Sequence, residues 1–311
     1  MTYAQLFLQY EWELEKVGEE PESLIFTFRN LKGLDMTGFV LLLRQEVSEE
    51  DQALLARIAQ RLLAHEPAQY ILGYETFHDL KLKVDKRVLI PRPETAELVD
   101  LILAENADEQ LDLLDIGTGS GAIALALAHE RPTWRIVASD ISQEALDLAK
   151  ENAQANQIAV DFCQSDLFSQ LSVSYDIIVS NPPYISEADK AEVGLNVLTS
   201  EPHLALFADE EGLAIYRKLA QQAGKHLKAD GKIYLEIGYK QGQVVSQLFR
   251  EAFPDKRIRV LPDQFGQNRM VVVDNGWFRG PQGDLSWGWC GSPTDRDGLW
   301  SLCQGPRWVC G

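Results

Sequence analysis

Apolar residues recur three and four positions apart through the first seventy residues. Leu54, Leu55, Ile58, Leu62 and Leu63 follow Ser48-Glu-Glu-Asp51 at helical spacing, with acids in the first turn, where the positive end of a helix dipole favours them. Residues 1 to about 70 therefore predict amphipathic helices, with Pro67 closing the one that starts near Ser48. The period then changes to two at Phe77, Leu80, Leu82 and Val84, which predicts a short hairpin or extended connector before Leu89-Ile-Pro-Arg-Pro-Glu-Thr95.

From about residue 95 the pattern switches repeatedly between strand and helix. Residues 111–116, 135–139, 160–164, 175–180 and 232–237 read as strands, and residues 122–130, 143–156 and 213–227 as the helices between them. After a helix near residues 243–253, residues 257–261 and 269–273 read as a closing pair of strands. Strands that alternate with helices call for a mostly parallel sheet covered on both faces, here with seven strands. The fourth of them is expected beside the first.

The segment after Asn275 has neither period. Five of the seven tryptophans and three of the four cysteines fall in residues 276–311, among many Gly and Pro, so this end is expected to be an atypical tail and not a domain. Cys290, Cys303 and Cys310 lack a paired C-x-x-C spacing, and the five histidines, at 65, 78, 129, 203 and 226, are scattered, so no metal is expected. Only Cys163 lies in the body, which excludes a disulfide framework there. A formal charge of −18 on 311 residues argues against gripping nucleic-acid phosphates. Met1-Thr-Tyr-Ala-Gln5 carries no charged leader, and the longest apolar runs, residues 39–43 and 122–128, are too short to cross a bilayer, so a cytoplasmic protein is expected.

The first candidate chemistry is Leu113-Leu-Asp-Ile-Gly-Thr-Gly-Ser-Gly-Ala122, a strand that runs through Gly117, Thr118, Gly119, Ser120 and Gly121 into a helix. Alternating glycines let the backbone turn sharply and approach a ligand that a Cβ would obstruct. Asp140, at the end of the next strand, stands where an acidic residue takes both hydroxyls of a ribose. A dinucleotide and S-adenosylmethionine both carry that ribose. The spacing G-x-G-x-G lacks the last glycine of the dinucleotide fingerprint, and Asp115 before the loop suits a ligand with a cationic amino acid end better than a pyrophosphate.

Gln164-Ser-Asp-Leu-Phe168 ends the third strand, at the sheet edge where ligands lie in such folds. Asp166 there can accept from an adenine amino group while Leu167 or Phe168 packs on the base; a capping Asp and a core Phe explain the same residues equally well. Asn181-Pro-Pro-Tyr184 ends the fourth strand. The Asn181 side-chain carbonyl and the Pro182 backbone carbonyl can accept both hydrogens of one planar NH2 group, with Pro183 stiffening the turn and Tyr184 offering a face for stacking. Together these residues imply methyl transfer to a planar nitrogen. Its lone pair is delocalised, and two acceptors plus orientation toward a sulfonium can direct that pair along the line of attack.

With these motifs in place, the chain resembles the HemK/PrmC family of release-factor glutamine methyltransferases along almost its whole body. The resemblance is carried by Gln69-Tyr-Ile-Leu-Gly73, Leu89-Ile-Pro-Arg-Pro-Glu-Thr95, Asp115-Ile-Gly-Thr-Gly-Ser-Gly121 and Ser180-Asn-Pro-Pro-Tyr-Ile185, with Glu201-Pro202, Asp209-Glu-Glu-Gly-Leu213 and Glu236-Ile-Gly238 as later blocks. It implies an α/β fold of the class I S-adenosylmethionine-dependent methyltransferase type, Rossmann-like, with a seven-stranded, mostly parallel sheet and a small N-terminal helical bundle. Residues 1–72 are then the helical substrate-recognition domain, 73–94 a hairpin or linker, 95–275 the methyltransferase domain, and the family pattern stops before the tail.

The implied reaction is methylation of the side-chain amide nitrogen, N5, of the glutamine in the Gly-Gly-Gln motif of class 1 peptide-chain release factors, with S-adenosyl-L-methionine converted to S-adenosyl-L-homocysteine. By position, Gly117, Thr118, Gly119, Ser120 and Gly121 hold the cofactor's amino acid portion, Asp140 its ribose, and Asp166, Leu167 and Phe168 its adenine. Asn181, Pro182, Pro183 and Tyr184 grip the amide, with Asn181 also near the methyl donor. Arg92 and Glu94 either order the rim of the site or form an ordinary surface ion pair.

The alternatives are an adenine-N6 nucleic-acid methyltransferase, which shares Asn-Pro-Pro-Tyr, and a glutamine methyltransferase of another protein. The first needs base flipping and a basic target-reading surface, so the acidic chain argues against it, and no direct DNA binding is expected. A non-catalytic binding module would have no reason to retain the whole site. A monomer without membrane attachment is expected.

Overall fold

The computed structural model describes residues 1–107 and 109–276. The expected tail, with Cys290, Cys303 and Cys310, lies outside the described residues except for Gly276. Five helices come first: α1 (Tyr3–Lys16), α2 (Glu22–Lys32), α3 (Met36–Leu42), α4 (Glu49–Leu63) and α5 (Ala68–Leu72). A capping box between Thr2 and Gln5 starts α1, and the Ser48 hydroxyl accepts from the Asp51 N–H at the start of α4. Their shared core contains Tyr3, Phe7, Phe28 and Phe39 as edge-on or tilted rings, with Leu55, Ile58 and Leu62 of α4. The helix begun at Ser48 stops at Leu63, earlier than expected from Pro67. His65 turns left-handed at φ 61°, and Pro67 instead opens α5.

The alternating stretch is an antiparallel hairpin of β1 (Tyr74–Phe77) and β2 (Leu80–Lys83), closed by His78 and Asp79, both at positive φ, as a two-residue hairpin turn requires. Phe77, Leu80 and Leu82 pack into the main core with Leu98 and Ile102. Val84, Val88 and Ile90 pack with Tyr70, Ala145 and Leu148.

The remainder runs α6 (Pro93–Glu105), β3 (Asp112–Ile116), α7 (Ala122–Glu130), β4 (Arg135–Asp140), α8 (Gln143–Asn156), β5 (Asp161–Gln164) and β6 (Tyr175–Ser180). Short helices α9 (Leu195–Ser200), α10 (His203–Leu206) and α11 (Asp209–Gly212) follow, then α12 (Ala214–Gln222), β7 (Leu227–Glu236), α13 (Gly242–Ala252), β8 (Arg257–Pro262) and β9 (Asn268–Asp274). The seven strands from β3 to β9 form one sheet in the order β5-β4-β3-β6-β7-β9-β8, parallel throughout except that β9 runs antiparallel to both β7 and β8. This is the expected fold class. The strand order reverses between β3 and β6, which is where an open α/β sheet leaves a crevice at its carboxyl edge.

Two elements differ from the periodicity. The helix expected over residues 213–227 ends at Gln222, and β7 begins at Leu227, five residues before its expected start. Its first half, Leu227-Lys-Ala-Asp-Gly231, is partly exposed and interrupted by a register shift against β6, so no alternation marks it. No helix among the described residues is long and apolar enough to cross a membrane.

Candidate functional site

Register brings the two sequence motifs level. Ile116, the last residue of β3, pairs with Ser139 of β4 on one side and Ser180 of β6 on the other, so the glycine loop, Asp140 and Asn181 leave the sheet at the same height. Short bonds fix the exits: the Ser180 hydroxyl donates to the Ile116 carbonyl at 2.7 Å, and the N–H groups of Gly117 and Thr118 donate to the Ser139 carbonyl at 2.8 and 3.0 Å.

Gly117, Gly119 and Gly121 all have positive φ, at 75°, 55° and 84°. They serve different ends. A Cβ on Gly121 would press on Leu125 and Ala149 at 3.0 and 3.3 Å, so this glycine seats α7 against α8. A Cβ on Gly117 or Gly119 would meet nothing of the protein within 4 Å, and both border a cavity of about 370 Å³. Their bareness leaves room for something other than protein.

Asp140 borders the same cavity and organises the loop. One carboxylate oxygen accepts from the Gly119 N–H and the other from the Ser142 N–H, each at 2.9 Å. Burial raises its pKa despite these donors. Asp115 does not border the cavity. It is fully buried beneath the loop, where one oxygen accepts from the Thr118 hydroxyl at 2.6 Å and Oδ1 has no protein partner. Burial, reinforced by the charge of Asp140, pushes its pKa up to about 7.

Ser165, Asp166 and Leu167 border the cavity, and Leu167 adopts φ 50°. That left-handed residue turns the next one away: Phe168 is buried in the core, stacked on His226 at 4.6 Å, and is not part of the cavity wall. Ile141, an exposed apolar residue directly after Asp140, and Leu204 and Ala205 of α10 supply apolar wall that no sequence motif marked. Residues 86–89, Pro91 and Arg92, ahead of α6, form a further part of the wall.

Asn181, Pro182 and Pro183 border the cavity. The Asn181 amide donates from Nδ2 to the Thr95 hydroxyl at 3.1 Å, and that hydroxyl donates to Glu236 Oε2 at 2.7 Å. No donor of the described residues reaches the Asn181 side-chain oxygen or the Pro182 carbonyl. Two acceptors of residues on the wall are therefore without a partner among the described residues. Tyr184 is not part of that wall. Its ring packs with the core beside Gly238, and its carbonyl accepts from Gln241 Nε2 at 2.9 Å. Arg92 pairs not with Glu94 but with Glu201, which is 3% exposed and also accepts from the Ile90 N–H.

Glu236 ends β7 and is 2% exposed. Burial pushes its pKa up to about 7, against the opposing effects of the Thr95 hydrogen bond and the Arg269 charge. A carboxyl whose pKa is raised on folding stabilises the fold most below its unfolded value and loses that contribution as pH rises through the folded one. Stability is therefore expected to fall between about pH 4.5 and about pH 7, with Glu236 contributing on the order of 3 kcal/mol to the fall. Urea denaturation across that range should show a clearly shallower fall for Glu236→Gln, with Asp115 accounting for part of what remains. An unchanged slope would mean that Glu236 titrates as an ordinary carboxylate.

Thr95 and Glu236 had no assigned role in the sequence reading. Both stand in motif blocks, Leu89-Ile-Pro-Arg-Pro-Glu-Thr95 and Glu236-Ile-Gly238, and their partnership becomes visible only once α6 is packed over the sheet.

Residues 5–73 match the family model described as PrmC N-terminal domain, and residues 98–204 match the Methyltransferase small domain. The chain is 62% identical over 277 residues to the release factor glutamine methyltransferase of Streptococcus pneumoniae, covering 89% of this chain and 99% of that protein. It is 53% identical over 255 residues to the same-named protein of Lactococcus lactis, covering 82% and 94%. Among solved structures, the catalytic domain of hMettl16 in complex with the MAT2A 3'UTR hairpin 6 superposes with a TM-score of 0.53 at 16% identity, covering 67% of this chain and 81% of that one, a likeness of fold.

Proposed function

Since the chain belongs to the family of release factor glutamine methyltransferases, we propose that it methylates the side-chain amide nitrogen of the glutamine in the Gly-Gly-Gln motif of class 1 peptide-chain release factors. The observation that carries this reading is the pair of free acceptors, Asn181 Oδ1 and the Pro182 carbonyl, on the wall of a cavity that also holds the glycine loop and Asp140. An NH2 group has two hydrogens to give, and the wall offers two places to receive them.

The residues fit S-adenosylmethionine as methyl donor. Gly117 and Gly119 leave unfilled space against the backbone, Asp140 brings a carboxylate to the end of β4, and Ile141 and Leu167 supply flat apolar surface. When bound, that cofactor supplies an electrophilic methyl group on a positively charged sulfur. Asp140 takes ribose hydroxyls with the acceptor capacity its two backbone donors leave over, and Asp166 offers an acceptor to the adenine amine.

Asn181 and Pro182 hold the substrate NH2 in one plane and fix the direction of its nitrogen. Transfer would form the N–C bond as the methyl–sulfur bond breaks, with neutral S-adenosylhomocysteine as the leaving group; the NH2 hydrogens would grow more positive, and the two acceptors would stabilise that charge without having to reorganise. One of these hydrogens leaves as a proton to solvent, and the product is a secondary amide. Exposed apolar residues on the helical N-terminal part, including Leu8, Trp12 and Leu41, suit it to seating a protein substrate.

Incubation with methyl-labelled S-adenosylmethionine and an unmodified release factor is expected to label one glutamine. Equal labelling after that glutamine is changed to Ala, or transfer to DNA in its place, would overturn the assignment.

A further inference from the structure

We propose that Thr95, backed by Glu236, is a positioning residue that locks the Asn181 carboxamide with its oxygen toward the substrate. The inference rests on the reading above, in which that oxygen accepts from the glutamine NH2. A carboxamide has two ends of nearly equal size, so a half-turn about its last bond costs little sterically. It would present a donor where an acceptor is required, and NH2 would face NH2. An enzyme that depends on Asn181 Oδ1 needs something other than shape to choose between the two orientations.

Hydrogen-bond direction makes the choice. Glu236 Oε2 accepts from the Thr95 hydroxyl; burial opposes the ionised, accept-only form of this carboxyl, while the Thr95 hydroxyl, the positive charge of Arg269 and the Asn181 side chain, which also faces it, all support that form. The Thr95 hydroxyl has one hydrogen and gives it to Glu236, so toward Asn181 it has only lone pairs to offer. Only the NH2 end of Asn181 satisfies them. Direction therefore passes from carboxylate to hydroxyl to amide, and the amide oxygen is left pointing away from the relay.

The relay is held from three sides. Thr95 stands in the first turn of α6 and is 4% exposed, with its N–H donating to the Arg92 carbonyl. The Glu236 carbonyl is taken by the Tyr216 hydroxyl at 2.7 Å, which fixes the end of β7. Ser180, just before Asn181, is anchored to β3. Thr95 itself borders the cavity, so its role is tested through its dependence on Asn181.

The test is steady-state methyl transfer to an unmodified release factor by the full chain, with S-adenosylmethionine binding measured separately. Thr95→Val, which keeps the shape and removes the hydroxyl, is expected to lower kcat about tenfold, the scale of one hydrogen bond, with cofactor affinity and KM for the release factor little changed. Thr95→Ser is expected to recover most of the loss. Combined with Asn181→Ala, Thr95→Val should cost nothing further, because it acts through a side chain already removed. Wild-type kcat in Thr95→Val, equal losses in the Val and Ser variants, or an additive loss in the double variant would each overturn the inference. Failure of the wild-type chain to label the release factor would overturn the functional reading instead.

Discussion

Asn181→Ala is expected to cut methyl transfer by about a hundredfold or more while leaving S-adenosylmethionine binding nearly intact, the usual scale for losing a preorganised polar group at a reacting centre. The substitution removes one of the two free acceptors and leaves the Pro182 carbonyl alone to hold an NH2 group that can then rotate. It leaves the cofactor side of the cavity untouched: Gly117 and Gly119, Asp140 and Leu167 are fixed by bonds that do not involve Asn181. Inside the protein, Thr95 keeps its bond to Glu236, so no buried group of the relay is stranded and the fold should persist. Single-turnover transfer measured beside calorimetric titration with S-adenosylhomocysteine separates the two effects. Turnover equal to wild type would remove Asn181 from the mechanism.

Gly212→Ala is expected to destabilise the protein by about 3 kcal/mol or more and to abolish most activity with it. Gly212 has φ 80°, and a Cβ there would lie 2.1 Å from the Tyr184 carbonyl oxygen and 2.7 Å from Gln241 Nε2. Neither neighbour can yield cheaply. Gln241 holds the Tyr184 carbonyl with its NH2 while its own oxygen accepts from the Gly238 N–H, so it clamps the turn after Pro183 to the end of β7. Pushing that carbonyl aside shifts the same short stretch of backbone that aims the Pro182 acceptor. Gly194→Ala is the control: φ there is −58°, and its Cβ would meet only the movable end of the Asn196 side chain. Urea denaturation and turnover should fall together for Gly212→Ala and stay near wild type for Gly194→Ala. Retention of both by Gly212→Ala would show that the turn relaxes freely.

What the sequence made legible follows from how local each signal is. The glycine loop and Asp140 were readable because period and spacing along one strand–helix–strand unit fix them. That Asn181 and Pro182 border the cavity was readable because they end the strand next to the glycine loop. Thr95 and Glu236 were not assigned a role because they are 141 positions apart and meet only through the docking of α6 on the end of β7. The direction of Phe168, left open between the base and the core, stayed undecided for another reason. A left-handed backbone at Leu167, uncommon for a branched aliphatic residue, exchanges which side chain faces the cavity, and no composition rule announces it. Tyr184 was expected at the site from its place in Asn-Pro-Pro-Tyr, yet Gly238 leaves space beside the end of β7 into which its ring settles.

The wall formed by residues 86–89, Pro91 and Arg92 has a consequence for the order in which the molecule assembles. Glu201 binds the Ile90 N–H and the Arg92 guanidinium across 111 and 109 residues of chain, so the cavity closes through contacts of very long sequence separation. Chain entropy resists such closures, and they are expected to come after the parallel strands have paired. A ligand of the finished cavity then has little hold on the folding transition state. It is expected to slow unfolding while leaving the refolding rate almost unchanged, so that the loaded enzyme differs from the empty one chiefly in how long it stays folded.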